Sequence, residues 1–258
     1  MTQIGSSAPH YTLRLSDTRS LELAWAAITD VGKIRAANED SLISVPPVFA
    51  VADGMGGHAA GDLASHCVIS SLAELGGNAT LSEHALNDRI SQAAEDIGSQ
   101  LDETEAGAGT TLCGIGLTET EDGWFWLVFN IGDSRCYLLQ DGAFIQVTVD
   151  HSVVQEMVNR GLITVAEAEN HEDSNVITRA VGYQMDTVPD YTLVRVERGQ
   201  RWLICSDGLT KELTDYGLQH FLEQPEAAAE VAEALMSTAI DNAGRDNVSL
   251  IVLDVLEA

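Results

Sequence analysis

The chain has 258 residues, 45% of them hydrophobic, enough for a large core and too apolar for general disorder. Asp and Glu number 40 against 13 Lys and Arg, so the net charge is −27, which repels nucleic acid and anionic lipid and sets both aside as partners. The four cysteines, Cys67, Cys113, Cys136 and Cys205, form no C-x-x-C and lie in apolar runs. That pattern, with no leader-like opening and no apolar run of membrane-spanning length, makes a cytoplasmic location the expectation.

In chain order, Met1 to Pro9 reads as frayed and "YTLRL" (11–15) as an edge strand, so that 1–20 is an extra N-terminal segment. "LELAWAAIT" (21–29), "SLISV" (41–45) and "VFAVA" (48–52) predict strands, the last two separated by Pro46-Pro47. "DLASHCVISSLAELGG" (62–77) has helical spacing and a glycine stop, and 82–103 is a second helix with Ser82 as its N-cap. Strand patterns follow at 109–119, 124–131, 134–140 and 143–148, with Gln140-Asp141-Gly142 as a hairpin turn. Residues 152–172 predict short helices in a flap region that extends to 185. Strands at 191–197 and 200–206, a helix over 225–244 with Pro225 at its start, and a strand at 247–255 complete the chain. Trp124, Trp126 and Trp202 read as core or sheet-face residues. This order lacks the alternation of a parallel sheet. Mostly antiparallel sheets with helices packed outside fit it, in a single domain over 1–258.

Several chemistries are excluded. A cysteine nucleophile on a phosphate-cradling loop needs Cys-x5-Arg, but Ala73, Glu119, Gly142 and Lys211 stand six residues after the four cysteines. There is no G-x-x-x-x-G-K-[ST], H-E-x-x-H, G-x-S-x-G or G-x-G-x-x-G, and the seven histidines form no paired ligand motif. What remains is a set of acids at strand ends. Asp53 in "FAVADGMGG", Asp133 in "LVFNIGDS" and Asp207 in "WLICSDG" each follow an apolar strand beside a glycine. Asp246 precedes the apolar strand of "GRDNVSLIVL", and Glu39 and Asp40 lie in "RAANEDS". Carboxylates meeting at one sheet edge repel and raise one another's pKa, and a divalent cation removes that cost. Oxygen-only ligands favour Mg²⁺ or Mn²⁺ over zinc, and glycine beside Asp lets a main-chain carbonyl approach as a further ligand. A lone Asp-Gly after a strand is most often a turn. Its repetition points to a metal-assisted hydrolase whose substrate the residues leave open.

The segments "GKIRAANEDS", "VADGMGGHAAG", "GTTL", "NIGDSRCYLL", "TVDHSVVQEMVNRGLIT", "NVITRAVG", "ICSDGLT" and "GRDNVSLIVL" stand in the order typical of bacterial metal-dependent Ser/Thr protein phosphatases of the type 2C (PPM) family. From Ala24 to Val255 the chain resembles that family. The resemblance implies an α+β fold, a four-layer αββα sandwich of two central antiparallel sheets flanked by helices. It implies two Mn²⁺ or Mg²⁺ ions that share a bridging water. At the matching positions Asp53 bridges both ions, the Gly54 carbonyl binds one, Asp207 and Asp246 hold the other, and Glu39 and Asp40 act through metal-bound waters. Arg35 grips the substrate phosphate. The implied activity is hydrolysis of phosphoSer and phosphoThr monoesters of proteins by a metal-bridging hydroxide, opposing a cognate Ser/Thr kinase, in a monomer.

Two positions depart from the family pattern. Lys211 stands where many members carry an acid that helps hold a third ion, so that Asp133 and Asp207 would hold such an ion more weakly. Met55 stands where eukaryotic members have a histidine, and the nearby His58 either protonates the leaving group or serves a helix or phosphate neighbour. Arg179 either touches substrate from the flap or pairs with a local carboxylate, and Asp150 and His151 orient the flap. A non-catalytic regulator with the same fold, or a hydrolase of another phosphate ester, are the alternatives.

Overall fold

Strands that are apolar at every position need cover on both faces, and here two stacked sheets with helices outside them supply it. The computed structural model describes residues 1–16, 19–56, 59–100, 108–168, 170–182 and 187–257. The strands are β1 (Thr2–Gly5), β2 (Ala8–Arg14), β3 (Ser20–Asp30), β4 (Ser41–Val45), β5 (Val48–Ala52), β6 (Gly54–Met55), β7 (Gly109–Thr110), β8 (Leu112–Thr120), β9 (Gly123–Ile131), β10 (Arg135–Gln140), β11 (Ala143–Gln146), β12 (Asp190–Arg195), β13 (Arg201–Cys205) and β14 (Val248–Glu257). The helices are α1 (Ala59–Ala73), α2 (Glu83–Gln100), α3 (Val153–Asn159), α4 (Val165–Ala168), α5 (Asp207–Thr210), α6 (Asp215–Leu222) and α7 (Ala228–Asn242). One six-stranded sheet has the order β1-β4-β5-β8-β9-β12, the other β11-β10-β13-β14-β3-β2, and β6 and β7 form a small ribbon.

Strand periodicity sorts the side chains into three apolar layers. In β5, Val48, Ala50 and Ala52 face α1 and α2, while Phe49 and Val51 face the second sheet. In β13, Trp202 and Ile204 enter the space between the sheets, and Leu203 and Cys205 turn to the layer under α6 and α7. Trp126 and Trp202 are fully buried there, edge to face at 6.4 Å, and Trp126 Nε1 donates to Gln200 Oε1 at 3.1 Å. Trp124 packs at the margin of the same layer. Helix, sheet, sheet, helix is thus the layer order expected for the αββα sandwich.

Local chemistry sets the turns. Asp141 and Gly142 both have positive φ, 51° and 79°, the combination that a two-residue type I′ hairpin requires, and they join β10 to β11. Ser82 Oγ accepts from Ala85 N at 3.1 Å and so caps α2, as its position predicts. Residues 101–103, assigned from sequence to the same helix, lie outside the described residues.

Three expectations need correction. Met1 to Pro9 does not fray as a whole: β1 runs parallel to β4 with Thr2 opposite Ser41, and Ile4 packs against the layer under α1. β4 would otherwise end the sheet with open backbone groups, and main-chain pairing satisfies them whatever the side chains are. β1–β4 is also a parallel pair in sheets expected to be antiparallel. Finally, α5 and α6 have no counterpart in the sequence reading of 207–222. Both are too short for a clear period, although Leu218 and Leu222, four apart, bury the inner face of α6. The chain between α6 and α7 is tied down by Arg201, which forks onto Asp254 at 2.6 and 2.8 Å and donates to the carbonyls of Leu222, Gln224 and Glu226.

Replacing Arg201 by Met leaves Asp254 and three carbonyls without their donor. Urea unfolding is expected to show a loss of about 3–5 kcal/mol, the usual cost of stripping one partner from a mostly buried ion pair.

Candidate metal centre

The register of each sheet carries its acids to the same end. β4 and β5 pair with Ser41 opposite Ala52, so Asp40, just before β4, stands beside Asp53, just after β5. β13 and β14 pair with Cys205 opposite Leu250, which sets Asp207, just after β13, near Asp246, just before β14. Asp133 follows β9 in the first sheet. Four carboxylates, Asp40, Asp133, Asp207 and Asp246, act on Asp53 electrostatically, and Asp246, Asp53 and Glu39 act on Arg35. Arg35, Glu39, Asp40, Asp53, Asp133, Asp207 and Asp246 are therefore brought together from two sheets.

Close packing of backbone makes the gathering possible. A Cβ on Gly208 would overlap the Asn247 carbonyl, so only glycine lets the start of α5 touch the turn before β14. A Cβ on Gly54 would overlap the carbonyls of Gly61 and Glu39, which holds the Glu39 segment against the β5–β6 turn.

Polar side chains fix the segments around the acids. Asp53 N donates to Thr111 Oγ1 at 2.9 Å, and Asp53 O accepts from Thr111 N and Thr110 Oγ1, both at 2.9 Å. Asn247 Oδ1 accepts from Glu39 N at 2.9 Å, while its Nδ2 donates to Val31 O and Ala37 O at 2.9 and 3.0 Å. Ser206 Oγ donates to Asp40 Oδ2 at 2.9 Å and accepts from Ser249 N at 3.0 Å. Sequence reasoning missed these supports. The only signal for Ser206 and Asn247 is that each adjoins a singled-out aspartate.

The electrostatics follow from crowding. Asp40 is fully buried, and loss of water together with Asp207 and Asp246 pushes its carboxyl up to about 7, against the pull of hydrogen bonds from Ser249 and Ser206. Asp133 is raised to about 8 by loss of water and by Asp207 and Asp150, with Lys211 opposing. Asp53 is raised well above the usual range by loss of water and then by its four acidic neighbours. Asp246 is lowered despite burial, because Lys211 and Arg35 both bind it. Arg35 meets Asp246 with Nε at 2.8 Å and Nη2 at 3.0 Å.

An ion fits this donor set. All the candidate ligands are oxygens, and Asp40 Oδ1 and Asp207 Oδ1 are buried without a hydrogen-bond partner. Among the described residues no three His, Cys, Asp or Glu side chains already close on one point. Lys211 Nζ instead lies 2.6 Å from Asp207 Oδ2 and 3.1 Å from Asp246 Oδ2.

Other sequence-derived candidates stand elsewhere. Arg179 Nη1 donates to Asp190 Oδ1 at 2.7 Å and lies 3.3 Å from His151 Nε2, the local pairing rather than the acid cluster. His151 Nδ1 accepts from Gly132 N at 3.1 Å, and Nε2 lies 3.1 Å from Asp190 Oδ2. Asp150 turns inward and takes a bidentate grip from Arg135. His58 lies outside the described residues.

The sequence profile of the family described as Protein phosphatase 2C matches residues 37–243. The serine/threonine protein phosphatase PstP of Mycobacterium tuberculosis is 38% identical over 243 residues, 92% of this chain and 46% of the relative, so the chain spans about half its length. The serine/threonine phosphatase Stp of Listeria monocytogenes is 30% identical over 239 residues, 88% of this chain and 93% of the relative. A crystal structure of the PstP catalytic domain in complex with two manganese ions superposes with a TM-score of 0.81 at 37% identity, covering 92% of this chain and all of that one.

Asp40 and Asp133 bind protons more tightly folded than unfolded, where both titrate near 3.8. Between that value and about 8 the metal-free fold holds the extra protons, so their contribution to stability is lost as pH rises through this window. Asp40→Asn is therefore expected to stabilise the EDTA-treated protein increasingly from about pH 4 to about pH 7 and to level off above that, reaching about 2–4 kcal/mol in thermal unfolding. A pH-independent difference would contradict the assignment.

Proposed function

The chain belongs to the protein phosphatase 2C family, and on that premise we propose that it hydrolyses phosphoserine and phosphothreonine esters of proteins, with two Mn²⁺ or Mg²⁺ ions as cofactors. The observation that carries the reading is the convergence of the Arg35 guanidinium with Asp53, Asp207 and Asp246 at the common end of two sheets. Asp53, the Gly54 carbonyl, Asp207 and Asp246 would be the direct ligands. Asp40 and Glu39 would act through water, and Asp133 would lie at the margin. When bound, such ions lower the pKa of a coordinated water and offset charge on phosphoryl oxygens.

The chain's own groups do the rest. Arg35 spends two of its five N–H donors on Asp246 and is about half exposed, which leaves donors free to orient a phosphoryl group. Asp246 thereby fixes the plane of the fork before substrate arrives. A cysteine nucleophile is unsuited to this reaction: all four cysteines are buried, and burial pushes the thiols of Cys113 and Cys205 up.

We read the chain as one phosphatase domain and residues 152–185 as its flap. Supporting this, Val153 N donates to Val176 O and Thr178 N to His151 O, at 2.9 and 2.7 Å, so the described part of the segment closes on itself. Arg179 then anchors the flap base through Asp190 and His151 rather than gripping phosphate. A Ser/Thr kinase would supply the phosphoproteins, a cytoplasmic setting suits the four free buried cysteines, and the enzyme would act as a monomer. Among the described residues no helix is long and apolar enough to cross a membrane.

The protein is expected to hydrolyse para-nitrophenyl phosphate and pSer or pThr peptides with Mn²⁺, and to stop in EDTA. Asp207→Asn should lower kcat/KM by about 100-fold or more, and Arg35→Ala by about 100- to 1000-fold. Arg179→Ala should cost less than about tenfold. Turnover that survives EDTA, or an Arg179→Ala loss equal to that of Arg35→Ala, would contradict these assignments.

A further inference from the structure

Lys211 caps the C-terminus of α5, four residues after Asp207. Its ammonium lies 2.6 Å from Asp207 Oδ2 and 3.1 Å from Asp246 Oδ2. Both oxygens belong to residues that the proposed function assigns to the ions. Asp246 also receives Arg35, but among the described residues Asp207 has no other cation on it, and its Oδ1 is buried without a partner. The Lys211 backbone is held: its N–H donates to Asp207 O at 2.8 Å, and its carbonyl accepts from Arg245 Nη2 at 2.9 Å. Its side chain is 33% exposed. The head group can therefore withdraw toward water while the backbone stays in place.

We propose that Lys211 is a tethered counter-ion that holds Asp207 and Asp246 together without metal and competes with a divalent cation for the same carboxylate oxygens. The inference rests on the metal-dependent reading of the site. An ammonium 2.6 Å from Asp207 Oδ2 repels a divalent cation on the same carboxylate and occupies a lone pair that the cation would take, so loading favours withdrawal of Lys211. It must break two charge-assisted hydrogen bonds, each stronger than a neutral one. Affinity for the ion at Asp207 and Asp246 is thereby set about ten- to a hundredfold below what these acids would otherwise give. In return, the carboxylate pair keeps its geometry when divalent ions are scarce.

The test is Mn²⁺ binding to the whole chain, stripped with EDTA and desalted, followed by titration calorimetry, with thermal unfolding measured in EDTA. Lys211→Met should tighten the weaker Mn²⁺ step by about tenfold or more and lower the melting temperature in EDTA, a loss that Mn²⁺ reverses. Lys211→Gln, one atom shorter and uncharged but still a hydrogen-bond donor, should behave the same way and serves if the Met variant folds poorly. Affinity equal to or weaker than wild type in the folded variants would overturn the inference and leave Lys211 a structural brace, with the phosphatase reading intact. Failure of wild type and variants alike to take up Mn²⁺ would overturn both.

Discussion

Mutual repulsion among carboxylates is the constraint around which this structure is arranged. Asp40, Asp53, Asp133, Asp207 and Asp246 are held where each raises the cost of ionising another. A chain free to relax would separate them. It cannot, because each is attached to the end of a strand whose own position is set by fully buried apolar neighbours, among them Phe49, Val51, Ile204 and Ile251. The stability of the three apolar layers is what holds the acids together, and the cost is confined to one end of the sandwich.

The site's precision comes from side chains that never touch a substrate. Asn247 joins three separate carbonyl and amide groups of the 31–39 segment to the turn before β14. Ser206 ties Asp40 of one sheet to the β13–β14 pair of the other. Gly208 and Gly54 supply contact distances that no side chain would tolerate. Such supports hold the acids on strand ends rather than on loops, the arrangement in which small displacements are resisted best.

Charge compensation inside the chain is asymmetric. The acids of the second sheet, Asp207 and Asp246, have Lys211 and Arg35 directly on them. Asp53 of the first sheet has acids as its strongest charged neighbours. Repulsion is thus least relieved at Asp53, whereas Asp207 and Asp246 are already partly neutralised. A similar economy holds at the flap base, where Asp190 receives both Arg179 and His151, so the arginine is already committed.

Much of this is legible in the sequence alone. Strands buried on both faces must be apolar throughout, so "VFAVA", "WLIC" and "SLIVL" announce themselves, and an aspartate beside glycine at the end of such a run is conspicuous. The Asp141-Gly142 turn and the Ser82 cap are local chemistry and needed no partner to be read. Four things were decided only in three dimensions. β1 pairs through its backbone, which side-chain pattern does not encode. α6 is held by two leucines and a docking surface, too little signal for a period. Arg179 could be assigned to Asp190 only once β12 had been placed beside it. Lys211 reads as an absent acid in sequence and as a present cation in the fold, because sequence spacing records which residue occupies a position and only packing records which charges it meets.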